Sequence, residues 1–171
     1  MTAHQIVPIA EEHIASFHEA LDVVARERKY LALLEAPPLE RVSDFVLANI
    51  EQRHPQFVAL DADAVVGWCD IIPHARAVYA HCGTMGMGIL PQYRGQGLGR
   101  KLMEATIAAA FAFGMTRIEL IVRRDNANAI TLYESLGFEI EGLHRNAIFI
   151  DGRYEHQYSM ALMNLDEQPR G

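Results

Sequence analysis

A glycine-rich turn with flanking basic residues is the part of this sequence best suited to bind an anion. The turn, Arg94-Gly95-Gln96-Gly97-Leu98-Gly99, follows an apolar run ending at Leu90 and precedes an apolar-patterned segment from Leu98 to Phe113. That order predicts a strand, a turn and a helix. The first amides of a helix are unpaired and carry partial positive charge, and glycine lets a phosphate approach the backbone closely. Together with Arg100 and Lys101, the turn predicts a phosphate site.

The spacing of the glycines decides which kind of phosphate loop this is. A P-loop requires Gly-Lys-Ser/Thr, whereas Gly99 is followed by Arg100 and Lys101. A dinucleotide-binding fingerprint requires a third glycine at the position of Arg100. The remaining pattern, Arg94-x-x-Gly97-x-Gly99, resembles the pyrophosphate loop of the GNAT superfamily of acyl-CoA-dependent N-acyltransferases.

A second motif, Asn126 to Phe138, strengthens this resemblance. The superfamily pattern Asn-x-x-Ala-x-x-Leu-Tyr-x-x-x-Gly-Phe follows the strand after the pyrophosphate helix, and every position of it is matched in this chain. The segments 141–142, 151–154 and 158–160 are also similar to bacterial amino-acid N-acetyltransferases and ribosomal-protein acetyltransferases of the superfamily.

The resemblance implies acetyl-CoA as the co-substrate and assigns residues to it. The backbone of residues 87–89 would pair with the pantetheine arm, residues 94–100 would hold the pyrophosphate, and Tyr133 would stand near the sulfur. The implied cofactor-binding residues are Met87, Gly88, Ile89, Arg94, Gly95, Gln96, Gly97, Leu98, Gly99, Arg100, Asn126 and Tyr133.

Acyl transfer from a thioester to an amine needs three chemical aids, and the sequence offers a candidate for each. The Ile89 N–H would stabilise the tetrahedral oxyanion. Tyr133 would protonate the leaving thiolate, since a tyrosine with an ordinary pKa of about 10 is protonated at neutral pH. Glu119, a lone carboxylate in an apolar strand, is either the general base or a salt-bridge partner of an arginine such as Arg117. His74, His81 or a water chain are alternatives for the base, and the eight histidines show no metal-ligand spacing.

Composition restricts the class of protein. The chain has 171 residues, 50% of them hydrophobic and 22% charged, and its net charge is −7. This balance predicts a globular protein and disfavours nucleic acid as a partner. No apolar run is long enough to span a bilayer and no signal segment is evident, so no membrane partner is expected. Cys69 and Cys82 lie in strand-like stretches and are expected to be buried free thiols of a cytoplasmic protein.

The remaining elements frame the two motifs in a single domain of residues 1–164 with a polar tail, 165–171. Apolar periodicity predicts strands, helices and two hairpins. The strands are expected at 5–10, 57–60, 65–72, 79–90, 117–124, 138–150 and 153–163, and the helices at 11–28, 39–53, 98–114 and from Asp125 or Asn126 to Leu136. We therefore expect an α/β (α+β) fold: a GNAT-like, mixed, mostly antiparallel sheet of about seven strands with about four helices.

The function expected from these motifs is transfer of acetyl from acetyl-CoA to a primary amine of a small molecule, an amino acid or related metabolite, with no metal ion. Acetylation of a protein N-terminus or lysine is an enzymatic alternative, and a CoA-binding regulatory domain without turnover is another. The apolar and aromatic residues of the last hairpin, Phe149, Ile150, Tyr154 and Tyr158, favour a homodimer.

Overall fold

A seven-stranded sheet and four α-helices account for most of the protein. The structure is a computed structural model and describes residues 4–164. The strands are β1 (Gln5–Pro8), β2 (Gln56–Asp61), β3 (Ala64–Pro73), β4 (Cys82–Ile89), β5 (Arg117–Arg123), β6 (Glu139–Ile150) and β7 (Arg153–Met163), and the helices are α1 (Ile14–Arg26), α2 (Leu39–Gln52), α3 (Leu98–Phe113) and α4 (Ala127–Ser135).

The strand order is β1-β2-β3-β4-β5-β7-β6. β4 and β5 are parallel, whereas the β1/β2, β2/β3, β5/β7 and β6/β7 pairs are antiparallel. The expected fold class, a mixed and mostly antiparallel sheet with four helices, is therefore confirmed. The chain divides into two compact units: one runs to Ile72 and includes Gly86–Phe113, and the other comprises Pro73–Met85 and the chain from Gly114 onward. The organisation of residues 1–164 as one domain stays a prediction, and the tail at 165–171 lies outside the described residues.

In the first unit, α1 and α2 pack on one face of the β1–β3 strands. Their inward stripes include Phe17, Val24 and Val46, which are at most 2% exposed, and they meet Val58 and Trp68 of the sheet. The Phe17 and Trp68 rings are in edge-to-face contact, with centroids 5.5 Å apart. This apolar stripe orients β3, which borders the candidate site.

In the second unit, β5 lies between β4 and β7 and contributes Ile118 and Leu120 to the interior. The turn between β6 and β7 has positive φ at Asp151 (50°) and Gly152 (75°). Two consecutive positive φ values are the geometry that an Asp-Gly hairpin favours, so the predicted tight turn is confirmed.

Several boundaries differ by one to three residues from those expected, and three of them bear on the description of the fold. β1 ends at Pro8, which has no backbone N–H, although the Ile9 N–H still donates to the Gln56 carbonyl at 2.9 Å. The segment before α1, Glu11–His13, is a 3₁₀ turn. The strand expected from Tyr79 begins at Cys82, because Ala77–Tyr79 closes a 3₁₀ turn through hydrogen bonds such as Tyr79 N–H to Arg76 O.

Candidate active site

The glycine turn before α3 has the open backbone that an anion site needs. Gly95 and Gly97 have φ of +71° and +80°, which disfavours residues with a Cβ. A Cβ added at either position would meet no atom within 4 Å, and residues 95–97 are exposed. The turn leads directly into α3, which begins at Leu98. The first backbone N–H groups of a helix have no partner within the helix, and they point out of its N-terminal end, toward the turn. These features fit a pyrophosphate, which would occupy the space beside the glycine backbone.

The side chain of Arg94 is already engaged. Its Nε donates to the Ile89 carbonyl at 2.9 Å, and its Nη1 donates to the Glu27 carboxylate at 2.8 Å, with Nη2 on the other carboxylate oxygen. The guanidinium also lies over the Tyr30 ring, 4.7 Å from the centroid. The hydrogen bonds with Glu27 raise the pKa of Arg94 above its ordinary value. These contacts connect the end of β4 to the C-terminal turn of α1, so Arg94 stabilises the position of the strand end. A contact between Arg94 and the phosphate stays a prediction.

The C-terminal half of β4 contains two glycines, one buried against a tryptophan ring and one exposed to solvent. A Cβ at Gly88 would lie within 2.8 Å of three carbons of the Trp68 ring, so only glycine fits there. Gly86, two residues earlier on the same face, is exposed. Met87 and Ile89 are half-buried on the other face. Their backbone pairing with a pantetheine arm, and the oxyanion role of the Ile89 N–H, stay predictions.

Asp70 is a candidate functional residue that the sequence reasoning missed. It lies on β3, and a Cβ added at Gly86 would be 3.4 Å from its Oδ1. The carboxylate sits deep among protein atoms yet is partly accessible to solvent, and burial raises its pKa from the ordinary 3.8 to about 7. A signal was available, because Asp70 is the one charged residue in the apolar run Val65–Ile72. The same pattern, a lone carboxylate in an apolar strand, identified Glu119 on β5.

Glu119 of β5 takes part in a polar cluster of the second unit. Its Oε1 lies 2.9 Å from His74 Nε2, and its Oε2 accepts from Arg117 Nε and Nη2 at 3.2 Å each. Arg117 also pairs with Glu141, which is the main cause that raises the pKa of Arg117. The expected salt bridge between Glu119 and Arg117 is therefore present, and a role of Glu119 as general base stays a prediction.

A cavity of about 390 Å³ adjoins this cluster. Its lining residues belong to the second unit and include His74, Tyr79, His81, Cys82 and Glu119. His81 and His74, the alternative bases, thus line the same cavity as Glu119.

The second motif forms the start and the inner face of α4. The Asn126 side chain caps the helix by accepting from the Ala129 N–H at 3.3 Å. Tyr133 is 9% exposed and packs against Phe138, with ring centroids 6.0 Å apart. Of the two residues at which this helix was expected to begin, Asp125 and Asn126, it is Asn126 that caps it. The cofactor contact of Asn126 and the acid role of Tyr133 stay predictions.

Three further observations concern metal ligands, helix hydropathy and the cysteines. Within residues 4–164, no group of three or more His, Cys, Asp or Glu side chains is placed to hold a metal ion. Over the same residues, no helix is long and apolar enough to cross a membrane. Cys69 and Cys82 are buried free thiols, as expected.

Comparisons with known proteins agree with the two motifs. The family model described as "Acetyltransferase (GNAT) family" matches residues 18–138. An L-amino acid N-acetyltransferase of Escherichia coli K12, AaaT, is 34% identical over 147 residues, which are 84% of this chain and 90% of that protein.

Other curated relatives match over shorter stretches. An E. coli K12 N-acetyltransferase of the alanine of ribosomal protein bS18 is 48% identical over 56 residues, 33% of this chain and 38% of that protein. The chain spans less than half the length of this and several further curated relatives.

Among solved structures, a GNAT superfamily phosphinothricin acetyltransferase from Sinorhizobium meliloti, in complex with acetyl-CoA, is similar in fold. It has a TM-score of 0.91 at 20% identity, and the match covers 99% of this chain and 94% of that one. The likeness extends over nearly the whole length of both chains.

Proposed function

Since this chain belongs to the acetyltransferase (GNAT) family and is an acetyl-CoA-dependent N-acetyltransferase, we propose that its acceptor is the primary amine of a small molecule, an amino acid or related metabolite. The observation that carries this proposal is the extent of the likeness to the L-amino acid N-acetyltransferase, which covers most of both chains. The match to the ribosomal-protein enzyme covers only a third of this chain, so it supports protein acetylation less.

The first unit provides surfaces suited to acetyl-CoA. Acetyl-CoA, when bound, supplies an activated acyl group and a thiolate leaving group. The open turn at Gly95 and Gly97 and the first amides of α3 would hold the pyrophosphate. Residues 87–89 of β4 would direct the pantetheine arm, and the brace from Arg94 to the Ile89 carbonyl would keep the end of this strand in place.

The experiment that tests the acceptor is a screen of amines with acetyl-CoA, read by thiol release. The panel contains L-amino acids, polyamines, aminoglycoside-like amines and peptides with a free N-terminus or a lysine. We expect turnover with one or more small amines at a higher kcat/KM than with any peptide. Turnover with peptides alone would favour the protein-acetylating alternative, and no turnover with any amine would favour a CoA-binding regulatory role.

We also propose that the protein is a cytoplasmic homodimer. Two buried free thiols support a reducing compartment. β6 is the last strand in the sheet order, and the aromatic pair at the end of its hairpin is exposed, with Phe149 and Tyr154 both at 65%. Exposed aromatic residues at a sheet edge suit a self-complementary interface. Sedimentation at micromolar concentration would show a dimer, and a monomer with and without acetyl-CoA would contradict this assembly.

A further inference from the structure

Asp70 occupies a position on the sheet where a small group can reach its carboxylate. It shares a face of β3 with Trp68, two residues away. Trp68 fills the space in front of Gly88, whereas the Asp70 carboxylate lies in front of Gly86, with Oδ1 3.4 Å from an added Cβ, and Gly86 itself is exposed. The two glycines therefore create a notch on this face of β4, closed at one end by the indole and bordered by a carboxylate.

The carboxylate is not neutralised by the protein around it. Within residues 4–164, the Asp70 side chain has no hydrogen bond or ion pair, although it lies in the interior of the sheet. Its cross-strand neighbour on β2 is Gln56, a directly opposite pair whose Cβ atoms are typically about 4.5–5.5 Å apart. Gln56 is 2% exposed, and its amide oxygen accepts from Asn49 Nδ2 of α2 at 2.9 Å. Its amide nitrogen has no partner among the described residues, so a donor lies next to Asp70 without bonding to it.

We infer that Asp70 is the catalytic residue that accepts a proton from the ammonium group of the acceptor in the notch beside Gly86. This inference rests on the proposed function, since it requires a primary amine as acceptor. It assigns the base to β3, whereas Glu119, His74 and His81 were the candidate side chains from the sequence. Glu119 is already engaged by the side chains of Arg117 and His74.

The electrostatic setting of Asp70 supports a proton-accepting role. Burial raises its pKa to about 7, near the pH at which a base is most effective. Two uncharged residues lie beside it: Gln56 is its cross-strand partner on β2, and Gly86 faces it from β4. Gln56 is bonded to Asn49 of α2, and Asn49 in turn is hydrogen-bonded to His54, whose pKa burial lowers. The adjacent Cys69 thiol points to the opposite face of β3.

The proton balance of the reaction is complete with this assignment. An ammonium group R–NH₃⁺ loses one proton to the Asp70 carboxylate, and the resulting R–NH₂ attacks the thioester carbon. The N–C bond forms, the C–S bond breaks, and the nitrogen loses its second proton. One of the two protons ends on the leaving sulfur, and the other passes from Asp70 to solvent. The products are the amide, the thiol and one released proton.

The test uses the purified full chain with the best small amine of the screen, at pH 6–10. The central variant is Asp70→Asn, which keeps the side-chain shape but cannot accept the proton. Asp63→Asn, an exposed aspartate in the turn between β2 and β3, is the matched control. Gly86→Ala would place a methyl group 3.4 Å from Asp70 Oδ1, an ordinary contact distance, so it fills the notch without displacing the fold.

We expect kcat/KM of the wild type to rise with pH through an apparent pKa near 7. Asp70→Asn should lower kcat by about 10²–10³-fold at pH 7, the range typical of a general base. Its deficit should shrink to within about tenfold at pH 10, because the amine then arrives uncharged. The affinity of Asp70→Asn for acetyl-CoA should equal that of the wild type. Asp70→Glu should recover part of the rate, and Asp63→Asn should match the wild type. Gly86→Ala should lower kcat/KM for the amine.

Three results would overturn the inference. An active wild type with an Asp70→Asn variant of unchanged kcat and pH profile would leave the proposed function standing and remove Asp70 from the chemistry. A rise in the KM for the amine alone, with kcat retained and no recovery at pH 10, would make Asp70 an ammonium-binding residue. A wild type that acetylates no amine would overturn the proposed function, and this assignment with it.

Discussion

The unpaired carboxylate of Asp70 should make the folded protein less stable as the pH rises, and Asp70→Asn should remove this effect. In the unfolded chain the group has its ordinary pKa of 3.8, and burial raises it to about 7 in the folded protein. The folded state therefore binds the proton more tightly. The stability associated with this proton is fully present below pH 3.8, and it is lost as the pH rises through 7.

The size of the effect follows from the two pKa values. One pKa unit corresponds to about 1.4 kcal/mol, so the change from 3.8 to about 7 corresponds to roughly 4 kcal/mol at most. The carboxylate is partly accessible to water, which lowers the expected value to about 2–3 kcal/mol. For a chain of this length that corresponds to about 4–12 °C in melting temperature.

The assay is thermal and urea unfolding of wild type and Asp70→Asn at pH 4 to 8.5, at constant ionic strength. The quantity to compare is the difference in unfolding free energy between the two proteins at each pH. We expect this difference to move in favour of Asp70→Asn as the pH rises. Asp63→Asn, at an exposed position, is unfolded in parallel as the control for removing a carboxylate elsewhere in the chain.

A pH-independent difference between Asp70→Asn and wild type would refute this reasoning. It would mean that water or a protein donor stabilises the charged carboxylate in solution. A difference that moves against Asp70→Asn at high pH would be a stronger refutation, since it would show that the charged carboxylate stabilises the fold.

Three further predictions follow from the glycines and the tyrosine. Gly97→Val should abolish acetyl-CoA binding measured by calorimetry. The control Gly152→Val, at a glycine with a similar φ and equally open surroundings, should bind acetyl-CoA normally, although each variant should lose about 1–2 kcal/mol of stability. Equal affinities of the two variants would contradict the pyrophosphate site. Tyr133→Phe should lower the rate of thiol release more than it weakens acetyl-CoA binding, because only the hydroxyl is lost and the ring still packs on Phe138. An unchanged rate would make Tyr133 a core residue. Gly88→Ala should destabilise the protein by about 1–3 kcal/mol through overlap with the Trp68 ring, and an unchanged urea midpoint would show that the indole can move aside.

Local patterns in the sequence predicted most of the elements. The glycine turn and the run from Leu98 to Phe113 gave the boundaries of α3 as observed, and Asp151-Gly152 predicted the last hairpin. Turn geometry and helical periodicity act over a few residues, which is why one sequence suffices to identify them. The resemblance of the Arg94-x-x-Gly97-x-Gly99 and Asn126 to Phe138 motifs to the GNAT superfamily implied the family and the use of acetyl-CoA, and the family model confirms the family.

The pairing of charged groups was decided only by the tertiary structure. Arg94 looks like a phosphate ligand in the sequence, but its partner Glu27 is 67 residues away. Glu119 and Asp70 look alike in the sequence, since each is a lone carboxylate in an apolar strand. Among residues 4–164, the fold gives Glu119 an arginine and a histidine as hydrogen-bond partners, and it leaves Asp70 facing Gly86 without an ion pair. Charge in a protein interior is governed by desolvation and by neighbours brought together across strands, and neither is encoded in local spacing.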